Sequence, residues 1–368
     1  MTTGDQVRAA VCRAFGEPLQ IEEVELRAPG PGEVGVALAA CAICHSDLTF
    51  LRGAWGGELP AVYGHEAAGI VDRVGSGVIG IAPGDHVVVT LARFCGRCRM
   101  CLGGQPVLCV RRTAFPLSRD SPLRTADGAV IQQGVRTAAF AERVTVDASQ
   151  IVPIPAEVPL QSASLLACAV ITGVGAVLNT AGVQPGATVG VIGAGGVGLN
   201  SIQGAVLAGA RTVLAIDLLD ARLAAARAFG ATHTLRADTD DVPGSVTELT
   251  GGDGLDYLFV TAGSAQAIKQ GIELVATAGA LVLVGLPPGA QVAFDVEAIA
   301  DRAIRVLGSK LGAARPQLDI PRLVDLYRQG RLKLDELISG RFPLAEINDP
   351  ISRAQRGEGL RWVIDMSR

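Results

Sequence analysis

The sequence predicts an α/β protein of two domains, a β-rich one and a doubly wound parallel sheet, and three observations point there. Its 368 residues exceed the roughly 250–300 at which a single core stops growing. From Ala9 to about Ile154, short apolar runs are broken by Pro and Gly pairs, the pattern of strands joined by turns. From Pro159 onward, alanine-rich helical segments alternate with short apolar strands, which argues for a parallel sheet covered on both faces.

In the first part, Gly35–Leu38 and His86–Val89 read as strands, set off by Pro29-Gly30-Pro31-Gly32 and Pro83-Gly84. A compact, barrel-like domain is expected. The stretch from Arg111 to Arg136 is polar and irregular and reads as a long surface loop. In the second part, the strands are Thr188–Ile192, Thr212–Ile216, Asp256–Val260, Ala280–Val284 and Arg305–Leu307. Beyond Gly308 come a helix with apolar spacing at Leu323, Leu326 and Tyr327 and a β-like Trp362-Val363-Ile364. The end of the chain is expected to return to the first domain. That gives one domain of residues 1–169 and 308–368 and an inserted one of residues 170–307.

Composition removes several functions. Hydrophobic residues are 49% and charged residues 18%, a core-rich balance far from disorder. Net charge is -4 and the sequence pI is near 5.7, with scattered arginines, so nucleic acid is not an expected partner. The polar opening Met1-Thr2-Thr3-Gly4-Asp5 lacks the apolar run of a signal peptide. The apolar stretch Leu165–Leu178 is interrupted by Thr172, Gly173 and Gly175 and falls short of the roughly 20 residues of a span. A cytoplasmic protein with no membrane partner is expected. Its eight cysteines are then metal ligands or buried thiols rather than disulfides.

Gly193-Ala194-Gly195-Gly196-Val197-Gly198 follows the strand Thr188–Ile192 and opens a helix-like run. Alone, such a glycine motif is also found in ordinary turns. Here the next strand ends in Asp217, the spacing of a dinucleotide site whose pyrophosphate rests on the helix N-terminus. Asp217 can accept hydrogen bonds from the adenine-ribose hydroxyls and would repel a 2′-phosphate. Leu218 and Leu219 offer no cation to hold one, so NAD is expected rather than NADP. The bland alternative for Asp217 is a solvated carboxylate at a strand end.

Cys95, Cys98, Cys101 and Cys109 form C-x2-C-x2-C-x7-C, which suits a closed tetrahedral zinc site of structural type. Gly96, Arg97, Arg99, Gly103 and Gly104 among them are poor core formers, so four packed thiols without metal fit badly. A nucleic-acid-binding zinc ribbon is the rival, and the acidic chain speaks against it. Cys44 and Cys168 lie far apart with Gly64-His65-Glu66 between them. Two cysteines and a histidine suit a catalytic zinc that keeps a fourth position open, although each is individually a common core residue.

Residues Gly64 to Val78 fit GHE-x2-G-x5-G-x2-V at Gly64, His65, Glu66, Gly69, Gly75 and Val78. With Cys44-His45-Ser46-Asp47 and the glycine turn, the chain resembles the zinc-containing medium-chain alcohol dehydrogenases, nearly end to end. The resemblance implies a GroES-like catalytic domain and a Rossmann NAD domain, with the reaction in the cleft between them. It implies one catalytic zinc on Cys44, His65 and Cys168, with Glu66 beside it, and one structural zinc on the other four cysteines. Cys12 and Cys41 are left to pack in the core. It also implies a homodimer, with a tetramer as the alternative.

The implied reaction interconverts a small-molecule alcohol and its aldehyde by hydride transfer to NAD. By resemblance, Ser46 takes the alcohol proton, and Thr49 stands where many members carry a histidine base. Threonine cannot serve as a base near pH 7. The same likeness puts His45 and Arg361 near the cofactor phosphates, Thr172 and Val197 on the nicotinamide face, and Arg222 at the adenine ribose. The backbone of Val284 and Leu307 would hold the carboxamide. By resemblance Trp55, Leu91 and Leu286 would line the substrate pocket, with ordinary core packing as the bland alternative. All three are apolar, which favours an aromatic or medium-chain primary alcohol. The long loop also resembles the animal-type and glutathione-dependent formaldehyde dehydrogenases. Trp55 replaces the acidic residue of the latter group, so S-(hydroxymethyl)glutathione is the second expectation.

Overall fold

Short paired strands build the first part of the chain. In the computed structural model, which describes residues 4–111 and 121–367, β1 (Asp5–Cys12) pairs antiparallel with β2 (Gln20–Leu26). β3 (Glu33–Ala42) leads into a short helix, α1 (His45–Leu51), and β4 (Ala61–Val62) precedes β5 (Glu66–Val74) and β6 (His86–Val89). A cysteine-bearing loop holds the one-turn helix α2 (Arg99–Leu102). It is followed by β7 (Leu123–Arg124), β8 (Val130–Gln133), β9 (Arg143–Asp147), β10 (Ile151–Pro153) and α3 (Leu160–Ser164). β1, β2, β7, β8 and β4 close into a barrel.

The expected loop from Arg111 to Arg136 is thus partly strand: β7 and β8 complete the barrel, with Leu123 and Ile131 almost wholly buried. Runs of two and four residues are too short for alternation to reveal. Residues 112–120 of that loop lie outside the described residues. The glycines of the Gly64–Val78 segment have a packing reason. A Cβ on Gly75 would stand 1.7 Å from the Gly30 carbonyl oxygen, so only glycine lets the two turns touch.

The parallel sheet comes next. α4 (Ala169–Gly175) precedes β11 (Thr188–Ile192), α5 (Gly196–Leu207), β12 (Thr212–Asp217), α6 (Asp220–Ala228) and β13 (His233–Arg236). α7 (Val242–Thr250), β14 (Leu255–Val260), α8 (Ala265–Leu274), β15 (Val275–Leu283), α9 (Val296–Asp301) and β16 (Arg305–Gly308) complete it. The strand order is β13-β12-β11-β14-β15-β16, all parallel, which is the doubly wound dinucleotide order with its switch point at the C-terminal end of β11. β13 is the strand the sequence pattern misses, because it is short, polar and at the sheet edge.

The chain closes with α10 (Pro316–Arg328), β17 (Ile338–Phe342), α11 (Asn348–Gln355) and β18 (Arg361–Asp365). β18 runs antiparallel to β3, so the C-terminal strand joins the second sheet of the first part, in the order β10-β6-β5-β3-β18-β17 with β9 also on β3. Two units result: residues 1–168 with 315–368, and residues 169–314. Cys12 and Cys41 are core residues, as expected. Among the described residues no single helix is long and apolar enough to cross a membrane.

Candidate active site

Four residues from three segments far apart in sequence converge in the first unit. Cys44 is the N-cap of α1, His65 and Glu66 stand at the start of β5, and Cys168 follows a 3-10 turn at Leu165–Ala167. One ligand atom from each lies within 4.8 Å of the others, and all four residues are buried. Asp47, itself fully buried, ties them together. Its carboxylate accepts from the Cys44 N–H (3.0 Å) and the Gly64 N–H (3.1 Å), and lies 2.9 Å from His65 Nδ1. With Nδ1–H donating to Asp47, Nε2 is the free ring nitrogen, and it is buried without a partner.

A buried, orphaned imidazole nitrogen beside two thiols and a carboxylate fits a zinc ion. Asp47 supplies the outer hydrogen bond that fixes the histidine tautomer. Sequence reasoning passed over Asp47. The signal was present, since an acidic residue three positions after a helix N-cap bonds back to the cap.

Charges respond to this crowding. The Cys168 contact, opposed by burial and helped by His65, holds the Cys44 thiol well below its usual range, while the same contact and burial push Cys168 up. Burial disfavours a charged His65, but Asp47 and Cys44 outweigh it and raise its pKa. Burial pushes Glu66 up to about 8 even though Arg361 pulls it down.

Arg361 was expected at a cofactor phosphate. It is only 3% exposed, in β18, and its Nη2 is paired with Glu66. That pair sets Arg361 against the metal-ligand cluster and by itself neither adds nor removes a phosphate contact. Ser46 and Thr49 are half-buried on α1, where Thr49 Oγ1 donates to the His45 carbonyl (2.9 Å), and His45 is exposed at the helix start.

Cys95, Cys98, Cys101 and Cys109 form the other cluster, again with sulfurs within 4.8 Å of one another. Cys98 Sγ is 3.4 Å from Cys101 Sγ and 3.9 Å from Cys109 Sγ. A tetrahedral ion with metal–sulfur bonds of about 2.3 Å spaces its thiolates at roughly 3.8 Å, so this donor set also fits zinc. Backbone N–H groups around Cys98 hold its thiol down to about 6, whereas burial pushes Cys101 up to about 12.

The glycine turn stands in the second unit between β11 and α5. Gly193 has φ +95°, and a Cβ on Gly198 would stand 1.8 Å from the Gly193 carbonyl oxygen. At Gly195 a Cβ would meet nothing within 4 Å, so that side is open for a pyrophosphate at the N-terminus of α5, which begins at Gly196. Asp217 ends β12, 7% exposed, and accepts from the Ala194 N–H (2.7 Å) and the Leu219 N–H (3.1 Å). A carboxylate has about four acceptor sites, so it retains capacity for ribose hydroxyls. Arg222 Nη1 lies 3.9 Å from it.

A Cβ on Gly173 would come 2.4 Å from the Val197 carbonyl oxygen, so α4 sits closely on α5 and brings the Thr172 segment to the Val197 turn. Thr172 Oγ1 is buried without a partner. The Val284 N–H is committed to the Val260 carbonyl, and Leu307 pairs with Val282 in the sheet. Of the expected pocket residues, Trp55 and Leu91 are half-buried in the first unit, and Leu286, in the second, is 66% exposed.

Residues 30–156 match the alcohol dehydrogenase GroES-like domain and residues 196–329 the zinc-binding dehydrogenase domain. An NDMA-dependent alcohol dehydrogenase of Amycolatopsis methanolica is 34% identical over 98% of both chains. The chain belongs to the zinc-containing medium-chain alcohol dehydrogenases. Benzyl alcohol dehydrogenase of Acinetobacter calcoaceticus superposes with a TM-score of 0.92 at 30% identity, over 98% of this chain and 99% of that one. A zinc-binding dehydrogenase of Sinorhizobium meliloti bound to NADP does so with a TM-score of 0.81, again at 30% identity, 98% and 99%. As a family member the chain is an oxidoreductase that uses zinc and a nicotinamide cofactor on alcohols.

Proposed function

We propose that this dehydrogenase interconverts a hydrophobic primary alcohol, aromatic in preference to medium-chain, with its aldehyde, using NAD. The observation that carries the chemistry is the buried, partnerless His65 Nε2 facing Cys44 and Cys168. When bound, zinc offers a Lewis acid to the alcohol oxygen and nicotinamide a hydride acceptor. The residues do the rest. Cys44, His65 and Cys168 hold the metal, and Asp47 holds Cys44 and His65. Glu66 stays buried against Arg361. Ser46, two residues past Cys44 on α1, is placed to take the alcohol proton. In this reading the lobe of Cys95, Cys98, Cys101 and Cys109 holds a second, structural zinc.

NAD is favoured because Asp217 presents a buried carboxylate at the end of β12, followed by Leu218 and Leu219 with no cation for a 2′-phosphate. Apolar Trp55 and Leu91, together with the likeness to benzyl alcohol dehydrogenase, support the aromatic class.

A panel of alcohols and aldehydes assayed with NAD and NADP tests this. The expected result is best kcat/KM with a benzyl-type alcohol, at least about tenfold higher with NAD than with NADP. Faster saturation by S-(hydroxymethyl)glutathione would replace the substrate class, and a preference for NADP would replace the cofactor.

A further inference from the structure

Only 4% of the chain is aromatic, yet four rings gather around α1 and the residues just before His65. Phe50 and Trp55 meet edge to face with centroids 4.9 Å apart, and Phe50 stacks on Tyr63 at 5.5 Å and 18°. A Cβ on Gly57 would lie 3.7 Å from Tyr63 Oη and 4.0 Å from Phe15 Cζ, so Phe15 borders the same group.

Phe50 is the centre of this arrangement, and it is held on three sides. Its helix starts at the ligand Cys44; Tyr63 lies two residues before the ligand His65; and the ring packs on the buried core of the first unit. The stack therefore joins the two segments that carry metal ligands. Ser46 and Phe50 are four apart on α1 and so share one face, with Cβ atoms about 5–6 Å apart. That is the reach from a carbinol oxygen to the far side of a benzyl ring. The loop bearing Trp55 folds back on the same helix end: Gly53 N–H donates to the Phe50 carbonyl (2.8 Å) and Ala54 N–H to the Thr49 carbonyl (3.1 Å).

We propose, resting on the substrate class proposed for this site, that Phe50 is a positioning residue. It fixes the Trp55 ring as one wall of the substrate site and so sets the preference for aromatic over aliphatic alcohols. Edge-to-face contact is directional, because the ring edge is positive and the face negative. Without the Phe50 ring, Trp55 has several rotamers open to it on a half-exposed loop, and a planar substrate loses its wall.

The test compares benzyl alcohol with 1-hexanol in the zinc- and NAD-loaded enzyme. Phe50→Leu should lower kcat/KM for benzyl alcohol roughly fivefold through KM, with kcat and the 1-hexanol parameters within about twofold. Phe50→Tyr should keep the wild-type ratio. Trp55→Leu, on a surface loop, should reproduce the Phe50→Leu ratio, and the double variant should add nothing further. An equal fall for both alcohols, or a fall in bound zinc, would make Phe50 a packing residue and overturn the inference, as would an unchanged ratio in Trp55→Leu. A wild-type enzyme that does not favour benzyl alcohol removes the proposed substrate class itself, and that result is read before any variant.

Discussion

The two metal-ligand clusters use the same kind of thiol and are built in opposite ways. Cys95, Cys98, Cys101 and Cys109 come from one loop with a single helical turn, and Cys95 and Cys101 are half-exposed. Gly96, Arg97, Arg99, Gly103 and Gly104 provide little apolar surface, so a bound ion is what such a lobe has for a core. Cys44, the adjacent His65 and Glu66, and Cys168 come from three distant segments of a packed unit, each residue at most 8% exposed. Asp47 and Arg361 already orient them through hydrogen bonds and an ion pair. The first cluster would owe its shape to a bound ion. The other has its shape from the fold, so an ion held there would be free for chemistry.

The largest effect expected from breaking this contrast is on turnover. Cys44→Ser should lower turnover by about a thousandfold, with one metal ion fewer per chain. The fold should survive, because serine suits the N-cap of α1 and the Cys44 N–H bond to Asp47 is kept. Turnover and metal content together check it: activity above about a tenth of wild type would place the reaction elsewhere.

Next comes the mirror experiment. Cys98→Ser should also lose one ion, but the loss should appear as a thermal midpoint lower by about 5 °C or more and as proteolytic cleavage within residues 95–111. Turnover of the folded fraction should stay within about threefold. A large loss of turnover with unchanged stability would reverse the division of labour between the clusters.

The same contrast explains what was legible in the sequence. A local cluster is visible as spacing, so the four-cysteine lobe stood out at once. The parallel sheet was equally clear, because each buried strand is a run such as Thr188–Ile192 and the glycine turn follows it directly. The buried cluster is non-local: Cys44 and Cys168 acquire meaning only once a fold brings them together, and the Gly64–Val78 signature supplied that fold by likeness. What stayed hidden depended on three-dimensional partners. Arg361 in β18 is singled out by likeness for a cofactor phosphate, and its pairing with Glu66 shows only once the fold is seen. Phe50 reads as helix filler until Trp55 and Tyr63 flank it. β7 and β8 were invisible because strands of two and four residues are too short to show a period.

The smallest expected effect concerns water, which reaches the two clusters so differently. An exposed lobe needs no route for protons. A buried cluster does, and each turn of alcohol oxidation releases one. Beyond Ser46 and the buried Asp47, whose carboxylate is committed to Cys44, Gly64 and His65, the next polar side chain on α1 is Thr49, whose hydroxyl donates to the His45 carbonyl and has no basicity near pH 7. Thr49→His would put a base of ordinary pKa near 6.5 at that half-buried position. Above that pH the neutral imidazole accepts the proton, and below it the ring is already charged and cannot. Turnover should therefore rise about two- to threefold near pH 7 and converge with wild type toward alkaline pH, where hydroxide takes the proton directly. The pH profile of kcat reads this out. If the profile is unchanged, proton release through α1 does not limit turnover, and the buried cluster must pass its proton to water by a path that avoids Thr49.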